Sequence, residues 1–235
     1  MNKTIATAAE AVARVKNDDM ILLGGFGVCG LPESLILALL DSGAKDLTLV
    51  SNNAGLDDFG IGTLLRAGRV RKMIMSYGGE CKAFEEMTLT KKLEVEWTPQ
   101  GTLAERLRAG GAGIGGFFTP TGYGTPVAEG KETRLIDGRW MVFEKPLMGD
   151  FAFIKAYKGD VLGNLEYRKT ARNFNQVMAT AANHVVAEVE ELVEIGGLHP
   201  EHIHTPGIYV DGVLKGACYK KPIEKLTMRK AAAHV

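Results

Sequence analysis

Residues 20–32 read MILLGGFGVCGLP. The short apolar run at Met20–Leu23 predicts a buried strand, and apolar residues at helical spacing predict a helix over Leu31–Leu40. Pro32 suits the first turn of that helix, and Ser42-Gly43 supplies a stop signal. The four intervening glycines let the backbone approach a ligand closely, and the free N–H groups at a helix start favour an anion. We therefore expect a strand, a ligand-approaching loop and a helix, with a plain structural turn as the alternative.

The same alternation continues to residue 109. It predicts strands at Leu47–Val50, Arg71–Ser76 and Leu93–Trp97, and helices at Ile61–Ala67, Cys81–Leu89 and Thr102–Ala109. Alternation of this kind indicates an α/β fold with a mainly parallel sheet covered by helices. Ligands bind beyond the carboxyl ends of the strands in such sheets. The loops to consider are therefore 24–30, 51–55, 77–80 and 98–101.

The second half predicts additional β-hairpins. Residues 133–143 alternate around Asp137-Gly138, which is a strong hairpin signal. Further along we expect a strand at Phe151–Tyr157, a turn at Gly163-Asn164, a helix near Phe174–Ala182, a strand at His184–Val189, and a second hairpin or bend at Tyr209–Gly212. A first helix is expected within Met1–Arg14. No linker forces a boundary, so we expect one domain over residues 1–235, with a frayed tail after about residue 227.

Composition argues against several classes of function. The chain has 235 residues, with 28 basic and 28 acidic side chains. This balance removes the long-range field that favours nucleic acid or an anionic membrane. The cysteines (Cys29, Cys81 and Cys218) show no CxxC spacing, which fits a reducing cytoplasm, and the N-terminus has no signal-peptide pattern. His199, His202 and His204 are interrupted by prolines, so a metal site is not favoured.

Four ordered blocks resemble one family. Asn17–Pro32 is similar to the N-terminal signature of the family I coenzyme A transferases, although the family commonly has Gly or Asn where this chain has Asp18. The other blocks are SNNAG at 51–55, TPQGTLAER at 98–106 and TPTGYGT at 119–125. The resemblance runs from about Asn17 to about Lys225. It implies a coenzyme A transferase fold and a coenzyme A thioester as substrate, without a permanently bound cofactor.

The resemblance also implies a partner. In this family an enzyme glutamate attacks the acyl thioester and then holds coenzyme A as its own thioester. That glutamate lies in a Ser-Glu-Asn-Gly motif on the B half, and this sequence contains no such motif. We therefore expect the A-subunit of a heterodimer or heterotetramer, which is inactive without its B-subunit.

Candidate site residues follow from the loops and the resemblance. Gln100 is the expected donor to the tetrahedral oxyanion, with a polar turn residue as the alternative. Asn52 and Asn53 are expected to hold a substrate carboxylate or, alternatively, to make ordinary turns. The loop expected to bind coenzyme A or substrate comprises Gly24, Gly25, Phe26, Gly27, Val28, Cys29 and Gly30.

Other residues are weaker candidates. Glu33 and Glu80 each open a helix, where a carboxylate complements the helix dipole, and Glu80 is kept as a reserve candidate. We expect Cys29 to be a buried small hydrophobe rather than a nucleophile. The glycine-rich residues 110–124 lie along the active-site side in the family, with a packed loop as the alternative.

Residues 53–60 and 76–80 resemble the enzymes that exchange coenzyme A between succinate and acetoacetate. The alternatives within the family are a 3-oxoadipate or an acetate/butyrate type of transferase. Outside it, a non-catalytic coenzyme A-binding protein and a sugar-phosphate isomerase or deaminase stay open. The isomerase interpretation needs an acid/base cluster, and the sequence offers no convincing one.

Overall fold

A computed structural model describes residues 1–223. The strands are β1 (Thr4–Ile5), β2 (Met20–Leu23), β3 (Leu47–Val50), β4 (Val70–Met75), β5 (Glu94–Trp97), β6 (Phe117–Thr119), β7 (Thr133–Ile136), β8 (Arg139–Glu144), β9 (Gly149–Asp160), β10 (Leu165–Glu166), β11 (Ala182–Val193) and β12 (Gly212–Lys215). The α-helices are α1 (Ala8–Val12), α2 (Glu33–Ser42), α3 (Ile61–Arg66), α4 (Lys82–Leu89), α5 (Gln100–Gly111) and α6 (Asn173–Met178).

The main sheet is parallel throughout its long path. Its order within residues 1–223 is β1-β12-β11-β9-β2-β3-β4-β5, and the short β10 pairs antiparallel with β9. Strand β2 lies between β3 and β9 and pairs parallel with both. The expectation of a mainly parallel sheet covered by helices is confirmed. β2, β3, β4 and β5 therefore end at the same edge of the sheet.

The sheet separates two apolar cores. Ile21 and Leu23 of β2 point into the core that α1, α2, α3 and α4 cover. Leu22, between them, points into the opposite core with α5 and α6. This arrangement follows from the alternation of side chains along a strand, and a strand buried on both faces reads as a continuous apolar run.

The predicted hairpin forms a separate small sheet. β7 and β8 pair antiparallel around Asp137 and Gly138, and both turn residues have positive φ, as a tight hairpin turn requires. β6 adds to the other edge of β8. The extra β-hairpin element of the fold is thus confirmed.

Three element predictions need correction. The helix expected within Met1–Arg14 is only the short α1, because β1 first pairs with β12 at the sheet edge. The helix expected near Phe174–Ala182 ends at Met178, since Ala182 already belongs to β11. β12 pairs parallel with β11, so the chain bends near Asp211 and the hairpin alternative is wrong.

The frayed tail expected after about residue 227 lies outside the described residues. Within residues 1–223, no helix is long and apolar enough to cross a membrane.

We expect Phe153→Ala to reduce the free energy of unfolding by about 3–5 kcal/mol, because the Phe153 side chain is fully buried and its loss leaves a cavity. Urea unfolding of the wild-type and variant proteins measures the difference. Leu37→Ala is the control, since 55% of Leu37 is exposed and its removal should change the stability by less than about 1 kcal/mol. Equal effects of the two substitutions would contradict this account of the core.

Candidate active site

Four loops converge at the carboxyl edge of the sheet. They follow β2, β3, β4 and β5, and they surround a cleft of about 320 Å³. The cleft is lined by Phe26, Asn52, Asn53, Ser76, Tyr77, Glu80 and Gln100. These seven residues are spread over positions 26 to 100 of the sequence. They meet in the cleft because parallel strands bring their carboxyl ends to one edge of the sheet.

The glycine loop folds into a tight turn. Phe26 and Cys29 exchange two backbone hydrogen bonds of 3.0 and 2.9 Å, and Gly27 between them has a φ of 59°. Gly25 and Gly30 also have positive φ, a conformation that other residues adopt at a cost. Val28 is buried, whereas the Phe26 ring at the tip is 45% exposed at the cleft. The turn thus presents the aromatic ring of Phe26 to the cleft, whereas Gly24, Gly25 and Gly27 are not part of its lining.

Asn52 is the centre of a hydrogen-bond network. Its side chain is buried, and its Oδ1 accepts a bond of 3.2 Å from the backbone N–H of Gly27. Its Nδ2 donates to Ser76 Oγ at 3.2 Å and to Gln100 Oε1 at 2.9 Å. Both amide hydrogens and the oxygen are therefore engaged with protein groups. This geometry favours a role in holding Gln100 and the glycine loop over direct binding of a substrate carboxylate.

Gln100 lies at the start of α5. The sequence predicted that this helix begins at Thr102, but it begins at Gln100, because Pro99 with extended ψ provides the N-cap position. Gln100 is exposed, and its Oε1 is held by Asn52. Because Oε1 is engaged by Asn52, Nε2 is the side-chain atom of Gln100 that is left to donate to a ligand. The positive end of the α5 dipole lies beside it, which favours a developing negative charge.

Asn53 fits the turn alternative. Its Oδ1 accepts a hydrogen bond of 3.0 Å from the backbone N–H of Gly55, two residues on, and Gly55 has positive φ. This is an Asx-turn. Asn53 nevertheless lines the same cleft as Asn52.

The structure also places the weaker candidates. Glu80 lines the cleft with a positive φ of 75°, but it precedes α4, which begins at Lys82. Glu33 accepts hydrogen bonds from the backbone N–H groups of Lys220 and Lys221. Glu33 therefore anchors the backbone at Lys220 and Lys221.

Burial and contacts also locate Cys29 and His204. The expected burial of Cys29 is wrong: the residue is exposed, because the tight turn directs it outward, and its Sγ lies 3.5 Å from Thr170 Oγ1. His204 Nδ1 accepts from the backbone N–H of Tyr167. In the portion of the chain up to residue 223, no group of three metal-ligating side chains occurs.

The glycine-rich residues 110–124 lie elsewhere. They end α5 and form β6 with the following turn, and none of them lines the cleft. A Cβ at Gly111 would lie 2.6 Å from the Thr180 carbonyl oxygen, and one at Gly116 would lie 2.2 Å from the Phe143 ring. These contacts favour the packed-loop alternative, in which glycine permits close packing.

A second cavity of about 600 Å³ lies along the glycine loop and shares Phe26 and Glu80 with the cleft. Lys155 and Lys221 line this cavity, and each donates a hydrogen bond from its Nζ to the Glu190 carboxylate. Burial alone would raise the pKa of Glu190, but the hydrogen bonds from the two lysines outweigh it and leave the pKa below its ordinary value. Lys155, Glu190 and Lys221 of this wall are therefore paired with each other.

Sequence reasoning missed two polar residues. Ser76 Oγ donates to the Asn52 backbone carbonyl at 2.9 Å and accepts from the Asn52 side chain, which sets the Asn52 rotamer. Its position at the end of a predicted strand was the available signal. Asn175, which is fully buried behind the glycine loop, gave no signal because it lies within a helical pattern.

An ion-pair group, here called the brace, connects α5 to the neighbouring strands through Arg106, Glu96 and Lys72. Arg106 is only 8% exposed. Its guanidinium donates hydrogen bonds to Glu96 Oε1 at 2.7 Å, Thr98 Oγ1 at 3.2 Å and the carbonyl oxygen of Lys145 at 3.0 Å. Lys72 pairs with the other oxygen of Glu96. Burial would raise the pKa of Glu96, but hydrogen bonds from Arg106 and Lys72 outweigh it and lower the pKa. This brace connects the helix that carries Gln100 to β5 and β4.

The comparison with protein families decides the assignment. The family model described as coenzyme A transferase matches residues 5–216, which is most of the chain. The chain belongs to the coenzyme A transferase family. The resemblance in the four sequence blocks is confirmed.

Relatives of this coenzyme A transferase chain carry two kinds of name. The chain is 54% identical over 231 residues to the A-subunit of the succinyl-CoA:3-ketoacid coenzyme A transferase of Helicobacter pylori (strain J99), covering 98% of this chain and 100% of that one. It is 53% identical over 216 residues to the A-subunit of the 3-oxoadipate CoA-transferase of Pseudomonas putida, covering 91% and 94%. Both names describe an A-subunit.

Solved structures share the fold. An acyl-CoA transferase from Escherichia coli O157:H7 aligns with a TM-score of 0.82 at 24% identity, covering 92% of this transferase chain and 47% of that one. The chain thus spans about half the length of the E. coli protein. Glutaconate coenzyme A-transferase from Acidaminococcus fermentans aligns with a TM-score of 0.77 at 22% identity, covering 91% and 75%.

The brace predicts a pH dependence of stability. A carboxyl whose pKa is lower in the folded state contributes stability above its unfolded pKa and loses it as the pH falls. We therefore expect Glu96→Gln to reduce the stability at pH 7 by about 1 kcal/mol or less, since Glu96 is partly exposed. The stability difference from wild type should be fully present above the ordinary glutamate pKa of about 4.3 and should shrink as the pH falls below it through the lowered pKa of Glu96.

Urea unfolding at a series of pH values measures this difference. Glu129→Gln is the control, because Glu129 is exposed and forms no ion pair within the described residues. A constant difference between Glu96→Gln and wild type across the pH range would contradict the role of the brace.

Proposed function

We propose that this chain is the A-subunit of a heteromeric coenzyme A transferase that moves coenzyme A from succinyl-CoA to a 3-oxoacid such as acetoacetate. The observation that carries the proposal is the hydrogen bond of 2.9 Å from Asn52 to Gln100, which fixes an exposed amide at the point where the four strand ends meet. Relatives about 54% identical over nearly the whole chain support the choice of substrates.

The chemistry requires a carboxylate nucleophile. A glutamate oxygen attacks the thioester carbonyl, the thiolate of coenzyme A leaves, and an acyl-glutamyl anhydride forms. The thiolate then attacks the glutamyl carbonyl of the anhydride, the donor acid leaves as a carboxylate, and glutamyl-CoA remains. The acceptor acid reverses these two steps and leaves as its own thioester.

The B-subunit supplies that glutamate. The sequence lacks Ser-Glu-Asn-Gly, and the acidic residue that lines the cleft, Glu80, sits in a left-handed turn. We propose that a B-subunit with this motif closes the cleft in a heterodimer or heterotetramer, and that the A-subunit is inactive without it. The names of the relatives, which denote A-subunits, support a two-subunit enzyme.

The A-subunit polarises the reacting carbonyl. Each attack places a negative charge on the carbonyl oxygen, and a prepositioned N–H donor lowers that barrier by a few kcal/mol. Gln100 is suited to this because Asn52 holds its oxygen and leaves Nε2 as the donor. Being neutral, the amide stabilises the oxyanion without trapping a substrate carboxylate as an ion pair.

The same proposal covers the domain, its location in the cell and the binding of coenzyme A. Residues 1–235 form one A-subunit domain that works in the cytoplasm, and coenzyme A enters as a substrate thioester and not as a resident cofactor. The glycine loop from Gly24 to Gly30 contacts this substrate through Phe26 and its backbone. The second candidate function is transfer to 3-oxoadipate, which the Pseudomonas putida relative favours.

Co-expression with a B-subunit tests the function. The purified complex should form acetoacetyl-CoA from succinyl-CoA and acetoacetate, followed by thioester absorbance, and the isolated A-subunit should form none. Succinyl-CoA with 3-oxoadipate in a parallel assay separates the two candidate acceptors. A complex that assembles but transfers coenzyme A to neither acceptor would reject both candidate functions.

Gln100→Ala should lower the turnover of the assembled complex by roughly ten- to a thousand-fold, the range typical of losing one oxyanion donor. Steady-state kinetics with succinyl-CoA measures the change. Gln176→Ala is a matched control, since it removes a glutamine amide that bonds the His204 carbonyl outside the cleft. An unchanged rate for Gln100→Ala would reject its role.

A further inference from the structure

Asn175 connects three segments behind the glycine loop. Its side chain is fully buried on α6, and its Oδ1 accepts a hydrogen bond of 2.7 Å from the backbone N–H of Lys155 on β9. Its Nδ2 donates to the carbonyl oxygens of Gly30 at 3.0 Å and Ala171 at 2.9 Å. A buried amide is tolerated because its polar atoms are bonded, so these contacts define one orientation.

The same side chain packs directly on the loop backbone at both ends. A Cβ at Gly24 would lie 1.9 Å from Asn175 Oδ1, and a Cβ at Gly30 would lie 3.0 Å from its Nδ2. A side chain at residue 24 would therefore displace Asn175, and one at residue 30 would press against it and would also have to adopt a positive φ of 77°. The need for glycine at these points comes from the contact with Asn175 as well as from any ligand.

Asn52 holds the opposite side of the loop. It accepts from the backbone N–H of Gly27 at 3.2 Å and donates to Gln100 at 2.9 Å. The glycine loop is thus fixed between two buried asparagines, one behind it and one at the cleft. A shift of the loop that breaks the Gly27 bond therefore removes one of the three hydrogen bonds that hold the Asn52 side chain, which orients Gln100.

We propose that Asn175 is a positioning residue for coenzyme A transfer, which acts through the glycine loop and Asn52 on the amide of Gln100. The inference rests on the proposed function. Asn175 contacts neither the cleft nor Gln100, so its effect on the reaction passes through the loop.

Asn175→Asp tests the proposal in the complex with the B-subunit. The substitution keeps the shape and the acceptor for Lys155, but it replaces the donor to Gly30 and Ala171 by an oxygen. We expect kcat to fall about ten- to a hundred-fold with a smaller change in KM, because the affected group acts on the transition state. Asn175→Ser, which keeps one hydroxyl donor without a charge, should lower kcat in the same direction and serves if the aspartate variant does not assemble.

Asn164→Ala is the matched control for a loss of stability alone. Asn164 also links two segments, donating to Asp160 Oδ2 and accepting from the backbone N–H of Gly207, both at 2.8 Å, and it lies outside the cleft. We expect this variant to lower the melting temperature while the kcat of the folded complex stays within about two-fold of wild type.

A double-mutant cycle with Gln100→Ala separates positioning from independent damage. If Asn175 acts through Gln100, the double variant should have a kcat within about three-fold of Gln100→Ala alone. Multiplied effects, or an Asn175 variant as active as Asn164→Ala, would overturn the inference. A wild-type complex without transfer activity would instead reject the proposed function, so the two failures are distinguishable.

Discussion

Asn52 donates hydrogen bonds to Ser76 and Gln100 and accepts one from Gly27, so one buried side chain joins the loops that follow four strands. This network exists because β2, β3, β4 and β5 are parallel and end at one edge of the sheet. The cost of burying an amide requires each of its polar atoms to find a partner. The same requirement that stabilises Asn52 therefore fixes the direction of the exposed Gln100.

The site of this chain is built from neutral donors. The hydrogen-bond network at the cleft consists of two side-chain amides, the Ser76 hydroxyl and a backbone N–H group. The charged pairs Glu96–Arg106 and Glu190–Lys155 lie in supporting positions. Such an arrangement suits the proposed role, in which this chain stabilises a developing oxyanion and the B-subunit supplies the nucleophile. The absence of Ser-Glu-Asn-Gly from the sequence and the A-subunit names of the relatives point to the same division of labour. We propose on these grounds that the A-subunit polarises the carbonyl and that the B-subunit carries out the attack on it.

The periodic parts of the fold were predictable from the sequence, and the long-range parts were not. Strands such as Leu47–Val50 and the Asp137-Gly138 hairpin depend on local pattern and turn chemistry, and the structure has them there. The pairing of β12 with β11 and the short α6 depend on tertiary contacts that no local pattern records. At the site, the position of Gln100 after a strand was readable. The roles of Ser76 and Asn175 needed coordinates, because their partners are 24 and 145 residues away.

The most direct test of this division of labour is a crystal structure of the assembled enzyme trapped as the glutamyl-CoA thioester. The account predicts that Gln100 Nε2 lies within about 3.2 Å of the thioester carbonyl oxygen, with Asn52 still bonded to Gln100 Oε1. A thioester carbonyl that receives its hydrogen bonds from other groups, with Gln100 turned away from it, would contradict the account.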